Sequence, residues 1–240
     1  MLGREVGLRA GPVLVCLGLI MAPSVTVAAE YDPWEPVNLK VHGFNERLDA
    51  IVLRPAAETY NRIMPPLARR GVSNFFSNIN DVTVLLNNIL QLKIVNAASD
   101  TGRIVLNTTL GIGGLIDVAS AAGLRKNNED FGQTLGYWGV GAGPYVVLPL
   151  FGPSTLRDSF GLVADTVTNP VNHHDEPAVR NSAFVLYQLD RRVAALAVDS
   201  MMMGDPYIFT REAYLQQRQY LVSDGEVQDQ WDDDDWGAWD

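Results

Sequence analysis

The clearest pattern of apolar and polar positions in this chain lies between residues 80 and 91. Apolar side chains recur there at spacings of three and four residues, the period of one face of an α-helix; they are Val82, Leu85, Leu86, Ile89 and Leu90. Asn80 and Asp81 come directly before them, and both residue types are favoured at a helix N-cap. The pattern therefore predicts an amphipathic helix that begins at Asn80 and Asp81.

The opposite face of this predicted helix is polar but uncharged. It carries Thr83, Asn87, Asn88 and Gln91, whereas a helix face in contact with water usually carries charged residues. Two interpretations stay open. The face either meets other protein or lipid head groups, or it is a solvated face of unusual composition.

Similar helical periods recur along most of the chain. They predict helices over about 37–53, 55–60, 155–168 and 206–222, a further helix that begins at Pro177, and two short helices within 104–124 joined at Gly111, Gly113 and Gly114. Pro65 and Pro66 are expected to close the second of these helices. We find no convincing pair of segments with the alternating pattern of β-strands. The predicted fold class is therefore all-α, built from short amphipathic helices.

The helix predicted over 155–168 combines an N-terminal signal with an unusual polar face. Thr155 and Asp158 have the spacing of a capping box. One stripe of the helix is apolar and consists of Leu156, Phe160, Val163 and Val167. The opposite stripe is a polar notch made of Asp158, Gly161, Asp165 and Thr168. This notch is either an ordinary solvated face or the lining of a functional site.

A stretch rich in glycine and proline, residues 127–161, surrounds an apolar run from Tyr145 to Phe151. Glycine permits backbone conformations that a Cβ atom disfavours, and proline interrupts helices and inner strands. We therefore expect a loop of defined shape. Because the run is too apolar for a surface linker, either the protein's own helices or lipid must cover it. The residues expected to shape this loop are Gly136, Gly139, Gly141, Gly143, Pro144 and Pro149.

The N-terminal segment, residues 1–29, has the features of a secretory signal peptide. Basic residues precede an apolar run over residues 12–22, and small residues end the segment at Ala29. The run is shorter than the ~20 apolar residues that a membrane-spanning helix needs. Cys16 follows Val15, a poor residue at that position of a lipoprotein signal. Cleavage near Ala29 is therefore the preferred interpretation, and lipidation of Cys16 is the alternative.

The formal net charge of −10 comes mainly from the C-terminal tail, residues 223–240. Eight of the 28 acidic residues lie in this tail, so the rest of the chain has 20 acidic against 18 basic residues. A nearly neutral body lacks the basic face that nucleic acid demands. The tail cannot build a core, and we expect it to be disordered. It is either a nonspecific acidic extension or a segment that docks onto a partner through Trp231, Trp236 and Trp239.

The chain lacks the short motifs that indicate common hydrolases, metalloproteases and nucleotide-binding proteins. The patterns GxSxG, HExxH, GxGxxG and GxxxxGK[ST] are all missing from it. Its histidines are His42, His173 and His174, and the last two lie in the segment VNHHDEP. We interpret this segment as a solvated loop before a helix and not as a metal site. The sequence therefore predicts no catalytic residues, no cofactor and no metal.

Four segments, taken in order, resemble the MlaA (VacJ) family of Gram-negative outer-membrane lipoproteins. They are FNERLDAIVLRPAAETYNRIMPPLARRGVSNFFSNIND, NTTLGIGGLIDVAS, FGQTLGYWGVGAGPYVVLPLFGPSTLRDSFG and DPYIFTREAYLQQR. The resemblance covers about residues 32–219. The chain departs from the family pattern near its N-terminus, because family members carry a lipidated cysteine after a good lipoprotein signal and Cys16 follows a poor one.

The resemblance implies a single domain, residues 30–222, in which short amphipathic helices form a ring in the periplasmic leaflet of the outer membrane. The ring would enclose an amphipathic channel and associate with a trimeric porin. Phospholipid removed from the outer leaflet would pass to a soluble, MlaC-like periplasmic carrier, which maintains the lipid asymmetry of the membrane.

Within this picture the glycine–proline loop would shape the channel wall. Asp158, Asp165 and Arg180 would line the channel for head groups, and the acidic tail would dock onto the carrier. Two alternative functions stay open: a porin-associated structural protein and a periplasmic lipid hydrolase.

Overall fold

A computed structural model describes residues 32–199, 202 and 204–226 of the chain. Its helices are α1 (Glu35–Leu48), α2 (Arg54–Ile63), α3 (Pro66–Leu90), α4 (Ile94–Thr109), α5 (Val118–Ala121), α6 (Phe131–Tyr137), α7 (Leu156–Thr168), α8 (Pro177–Asp199) and α9 (Pro206–Val222). Two short strands, β1 (Tyr145–Leu148) and β2 (Gly152–Thr155), lie between α6 and α7. The predicted signal peptide with Cys16, and the tail beyond residue 226, lie outside the described residues. The described body is mostly helical, as the sequence predicts.

The first two helices form one continuous element instead of two separate ones. Helix α1 passes into a π-helical segment, Asp49–Leu53, which leads directly into α2. The N–H of Arg54 donates to the carbonyl oxygen of Asp49, a step of five residues. Pro55, the next residue, has no N–H to donate, so a locally widened helix accommodates the proline without ending.

Helix α3 begins 14 residues earlier than the sequence predicts, at Pro66. Pro65 and Pro66 therefore start this helix, as well as following the end of α2, and a proline at the first helical position is favourable. The predicted N-cap at Asn80 and Asp81 is wrong. Asp81 is buried inside the helix, where it forms ion pairs with Arg103 and Lys126. It therefore links α3 to a charge on α4 and to a charge in the loop before α6.

The expectation of a loop without strands in the glycine–proline stretch is also wrong. Strands β1 and β2 form an antiparallel hairpin in which Tyr145 pairs with Thr155 and Leu148 with Gly152. The side chains of Asn38 and Asn45 on α1 form hydrogen bonds with the outer edge of β1 and the turn after it. Asn45 donates from Nδ2 to the carbonyl oxygen of Leu148 at 2.9 Å, and its Oδ1 accepts from the N–H of Leu150 at 2.9 Å. These partners are about 100 residues apart in sequence, so local periodicity could not reveal them.

The interior of the described body is mainly polar. Among the described residues, 17 polar or charged residues are buried against eight apolar ones. The largest fully buried side chains include Arg103, Gln91 and Asn88, while a small apolar cluster consists of Tyr145, Val147 and Tyr207. Water-soluble proteins show the reverse preference, with charged residues almost never buried unless paired. None of the described helices combines the length and the apolar character needed to cross a membrane.

Candidate functional site: a cavity between polar helix faces

The uncharged polar face of α3 points into the protein. Thr83, Asn87 and Gln91 are buried, whereas Leu86 and Ile89 on the other face are exposed. The hydroxyl of Thr134 on α6 donates to Oδ1 of Asn87 at 2.7 Å. The interpretation of this face as solvated is therefore wrong, because Asn87 contacts the protein's own helices α6 and α7.

Helix α7, like α3, turns its polar face towards the inside of the protein and its apolar face outward. Its predicted N-cap is confirmed, because the Thr155 hydroxyl accepts from the N–H of Asp158. The apolar stripe faces outward, with Phe160, Val163 and Val167 exposed to 65%, 63% and 62%. Its polar notch packs against α6 and α3, so the interpretation of the notch as a solvated face is wrong.

The notch fits against α6 because two glycines let the backbones approach closely. A Cβ atom added to Gly161 would lie 2.4 Å from the backbone nitrogen of Gly132. A Cβ atom added to Gly132 would lie 2.5 Å from Oδ1 of Asp158. Both distances are shorter than any real contact, so only glycine permits this packing.

Asp158 belongs to a charge network that joins α6, α7 and α9. Arg218 donates to both carboxylate oxygens of Asp158 at 2.9 Å and also to Asp130 at 2.5 and 3.0 Å. The Tyr214 hydroxyl donates to Asp158 at 2.8 Å, and Arg157 donates to it at 2.9 Å. Burial by itself would raise the pKa of Asp158, but the hydrogen bonds and charges of the two arginines hold it below its usual value. The same balance, with Arg218, lowers the pKa of Asp130.

Asp165 lies two turns further along the notch, in a different environment. Both of its carboxylate oxygens accept from the N–H of Phe131 at 3.1 Å, and Oδ1 also accepts from the Asn87 amide at 3.2 Å. It forms no ion pair with any residue in the described part of the chain. Burial raises the pKa of Asp165 to about 6, and the nearby Asp130 carboxylate adds to this effect.

A cavity of about 550 Å³ opens beside Asp165. Its wall is contributed by α3, the segment before α6, the hairpin turn, α7, the turn after α7, and α8. The apolar lining includes Phe76, Ile79, Phe151, Leu162 and Phe184, and the polar lining includes Asn80, Thr83, Glu129, Asp130, Asp165 and Arg191. The cavity is therefore amphipathic, with charged and aromatic groups in one wall.

The three predicted polar lining residues do not lie together. Asp165 lines the cavity, but Asp158 is occupied in the network of Arg218 and lies outside the cavity wall. Arg180 also lies outside this wall, near the start of α8, where its Nη1 donates to the carbonyl oxygen of His174 at 2.7 Å. No local sequence pattern marks Arg218 or Arg191. Arg218 pairs with Asp130 and Asp158, which are distant in sequence, and Arg191 lines a cavity formed by separate segments.

The predicted shaping residues lie before and within the hairpin. Gly139 and Gly143 adopt left-handed φ values of +87° and +70°. At Gly136 an added Cβ atom would lie 2.7 Å from the Val222 side chain, but at Gly141 it would meet nothing within 4 Å. The carbonyl oxygen of Pro144 accepts from the N–H of Leu156, and Pro149 is exposed beside the hairpin turn. A role for these residues in a channel wall stays a prediction.

These observations define a helical protein whose polar side chains point inward, around a cavity, and whose apolar side chains cover much of its outside. The chain belongs to the MlaA lipoprotein family, since residues 30–221 match the model of that family. The predicted family resemblance is thereby confirmed.

Individual relatives and a solved structure agree with this assignment. The intermembrane phospholipid transport system lipoprotein MlaA of Escherichia coli (strain K12) is 37% identical over 205 residues, or 83% of this chain and 81% of the relative. MlaA of Haemophilus influenzae is 32% identical over 207 residues, or 84% of this chain and 83% of the relative. A structure solved in work on the structural basis for maintenance of bacterial outer membrane lipid asymmetry matches with a TM-score of 0.71 at 37% identity. That match covers 80% of this chain and 99% of the solved one.

Proposed function

We propose that this protein removes mislocalised phospholipid from the outer leaflet of a bacterial outer membrane and passes it towards a periplasmic carrier. The observation that carries the proposal is that helix α7 exposes its apolar face and turns its polar face inward. Its apolar stripe is exposed, while Asp165 on its opposite face lines an amphipathic cavity. The family membership supports the same function, because relatives are named as components of an intermembrane phospholipid transport system.

The outward apolar surface supports a position in lipid. Exposed aliphatic residues are numerous on α3, on α7 and in the segments that follow α3 and α4; examples are Leu90, Leu92, Ile112 and Val163. Large exposed apolar patches on a protein mark contact with membranes or with other proteins. We place the helices as a ring in the periplasmic leaflet, where acyl chains cover these residues and no helix has to cross the membrane.

The cavity supports the passage of an amphiphile. Its volume of about 550 Å³ lies within the ~300–1,000 Å³ typical of ligand sites. Asp165 and Thr83 offer polar contacts to a head group, and Phe76, Leu162 and Phe184 offer apolar contacts to the first part of the acyl chains. The remainder of each chain would extend beyond the cavity. The glycine–proline hairpin closes part of the wall through Phe151.

Two partners complete the proposal. A trimeric porin would cover part of the apolar outer surface, and a soluble MlaC-like carrier would accept phospholipid on the periplasmic side. The proposed step moves a lipid without breaking a bond in it, so the protein acts as a channel and not as an enzyme.

A cavity-filling variant tests the channel. Ala183 on α8 lines the cavity, so Ala183→Trp should block it. Ala194→Trp is the matched control, because Ala194 is exposed on the same helix and lies outside the cavity wall. The full chain and both variants would be placed in vesicles with labelled phospholipid, and transfer to a periplasmic lipid carrier would be measured. We expect Ala183→Trp to lose most transfer and Ala194→Trp to retain it.

The outcomes separate the alternatives. Equal transfer by both variants would show that phospholipid does not pass through this cavity. Absence of transfer with the unaltered chain, together with normal porin binding, would support the structural alternative. Release of free fatty acid would instead support a hydrolase.

A further inference from the structure

Two charged residues in the cavity wall have no ionic partner. Asp165 accepts only neutral donors, the Phe131 N–H and the Asn87 amide. Arg191, on α8, lies over the Tyr187 ring with its guanidinium carbon 5.6 Å from the ring centre. Neither side chain forms an ion pair with any of the described residues. The wall therefore offers one uncompensated negative charge and one uncompensated positive charge to the same space.

The other charged lining residues are neutralised by partners outside the cavity. Glu129 pairs with Lys93 at 3.0 Å, and Asp130 pairs with Arg218 at 2.5 Å. Among the charged lining residues, Asp165 and Arg191 are thus the two without an ion pair to a described residue. A ligand that carries both signs of charge can compensate both groups, whereas a ligand with a single sign can compensate only one.

We propose that the cavity selects phospholipids whose head group carries a primary ammonium beside the phosphate, with Asp165 binding the ammonium and Arg191 the phosphate. The inference rests on the proposed function and names the lipid class that the site prefers. The carboxylate of Asp165 has lone pairs beyond those used by Phe131 and Asn87, so it can accept further donors. An ammonium supplies three N–H donors, and hydrogen bonds between charged partners are the strong ones.

Anionic lipids with an uncharged polar head group are disfavoured by the same geometry. Their phosphate can contact Arg191, but they bring no cation to Asp165, which would be covered by the lipid while still charged. A quaternary ammonium brings the positive charge without N–H donors. The expected order of preference is therefore phosphatidylethanolamine, then phosphatidylcholine, then phosphatidylglycerol.

The test is a competition between lipids. Donor vesicles would contain equal amounts of phosphatidylethanolamine, phosphatidylcholine and phosphatidylglycerol with matched chains, and the lipid transferred by the full chain to a carrier would be identified by mass spectrometry. We expect phosphatidylethanolamine to exceed phosphatidylglycerol about tenfold, the ratio that ~1.4 kcal/mol of one charge-assisted hydrogen bond produces.

Two substitutions assign the preference to its residues. Asp165→Asn should bring the ratio of phosphatidylethanolamine to phosphatidylglycerol close to one. Arg191→Gln should slow transfer of all three lipids, because all carry the phosphate, and should leave phosphatidylethanolamine preferred. An Asp165→Asn protein that retains the unaltered ratio would overturn the assignment to Asp165.

A measurement on the unaltered chain covers the case in which Asp165→Asn does not fold. Lowering the pH from 7.5 to 5 protonates Asp165, whose pKa is about 6, and should reduce the lipid preference. The groups that face Asp165 from the packed elements are the Asp130 carboxylate, the Arg218 guanidinium and the neutral Asn87 amide, and the first two are paired with each other.

Equal transfer of all lipids at pH 7.5 would contradict the selectivity and leave the proposed transport intact. No transfer of any lipid would contradict the transport itself.

Discussion

The side chain of Asn38 on helix α1 forms hydrogen bonds with strand β1 at Tyr145, in the way that the backbone of a neighbouring strand would. Its Nδ2 donates to the Tyr145 carbonyl oxygen at 3.0 Å, and its Oδ1 accepts from the N–H of Val147 at 2.9 Å. Asn45, two turns later, repeats this arrangement at the hairpin turn. Two side chains of one helix thereby satisfy the outer edge of a two-stranded sheet, which is too small to be stable by itself.

Replacing Asn38 should loosen the hairpin. Asn38→Ala leaves the buried carbonyl of Tyr145 and the N–H of Val147 without their partner, and each unsatisfied buried group costs about 1–3 kcal/mol. Denaturant unfolding of the full chain in detergent micelles would measure the loss. Lys40→Ala, at an exposed position of the same helix, should change the free energy of unfolding little. Equal effects of the two substitutions would show that the bonds to β1 contribute nothing.

Arg218 should be essential for stability, although its sequence position gives no sign of it. Arg218→Met leaves Asp130 and Asp158 buried without their main partner, and breaking such a pair typically costs about 3–5 kcal/mol. Adding Asp158→Asn should recover part of the loss, because one uncompensated charge is then removed. Gln217→Met, on the exposed side of α9, is the control. The unfolding midpoints of the unaltered chain and of these three variants measure the loss and its recovery, and an Arg218→Met protein as stable as the control would contradict the prediction.

Gly143 and Gly141 test the proposed shaping of the wall as a matched pair. Gly143 has a φ of +70°, and an added Cβ atom would lie 3.1 Å from Cβ of Leu156. A left-handed conformation costs a residue with a Cβ atom about 1–2 kcal/mol, so Gly143→Ala should displace the segment before β1 and reduce phospholipid transfer. Gly141→Ala should have little effect, because its φ lies outside the left-handed region and its surroundings are open. Equal transfer by the two variants would argue against a shaping role of Gly143.

The ionisation of Asp165 should lower stability as the pH rises. Its folded-state pKa of about 6 lies above the ordinary 3.8, so between these values the folded protein binds more protons than the unfolded chain. Its contribution to stability is then fully present below pH 3.8 and is lost as the pH rises from there through 6. Asp165→Asn removes this pH-dependent contribution to the free energy of unfolding. The stability of the variant relative to the unaltered chain should therefore be higher at pH 7.5 than at pH 5, and a difference independent of pH would contradict the raised pKa.

Asp130 and Asp158 should act with the opposite sign. Their folded-state pKa values are lowered, so their contribution is present at neutral pH and is lost as the pH falls below the ordinary carboxyl range. This loss of stability at acid pH serves as an internal reference in the same pH titration.

Local sequence determined much of the helical framework. The Thr155 cap fixes the start of α7, and the Asp205–Pro206 pair fixes the start of α9, because a cap and a proline act within a few residues. The start of α3 is not predictable in this way, since Pro66 also fits the end of the preceding helix and the residues after it lack a clean apolar period. The segments that resemble a known family were also sufficient to identify it, as the family model and the solved structure confirm.

Only the tertiary structure decided which face of each helix is inside. The period of α7 separates Phe160 and Val163 from Asp158 and Asp165, but a period carries no information about the surrounding medium. Burial of the polar face follows from partners far away in sequence: Arg218, Asn87 and Phe131. The hairpin likewise depends on Asn38 and Asn45, more than 100 residues before it. Long-range hydrogen bonds and charge pairs thus hold together much of the interior of this protein, because many of its large apolar side chains face outward.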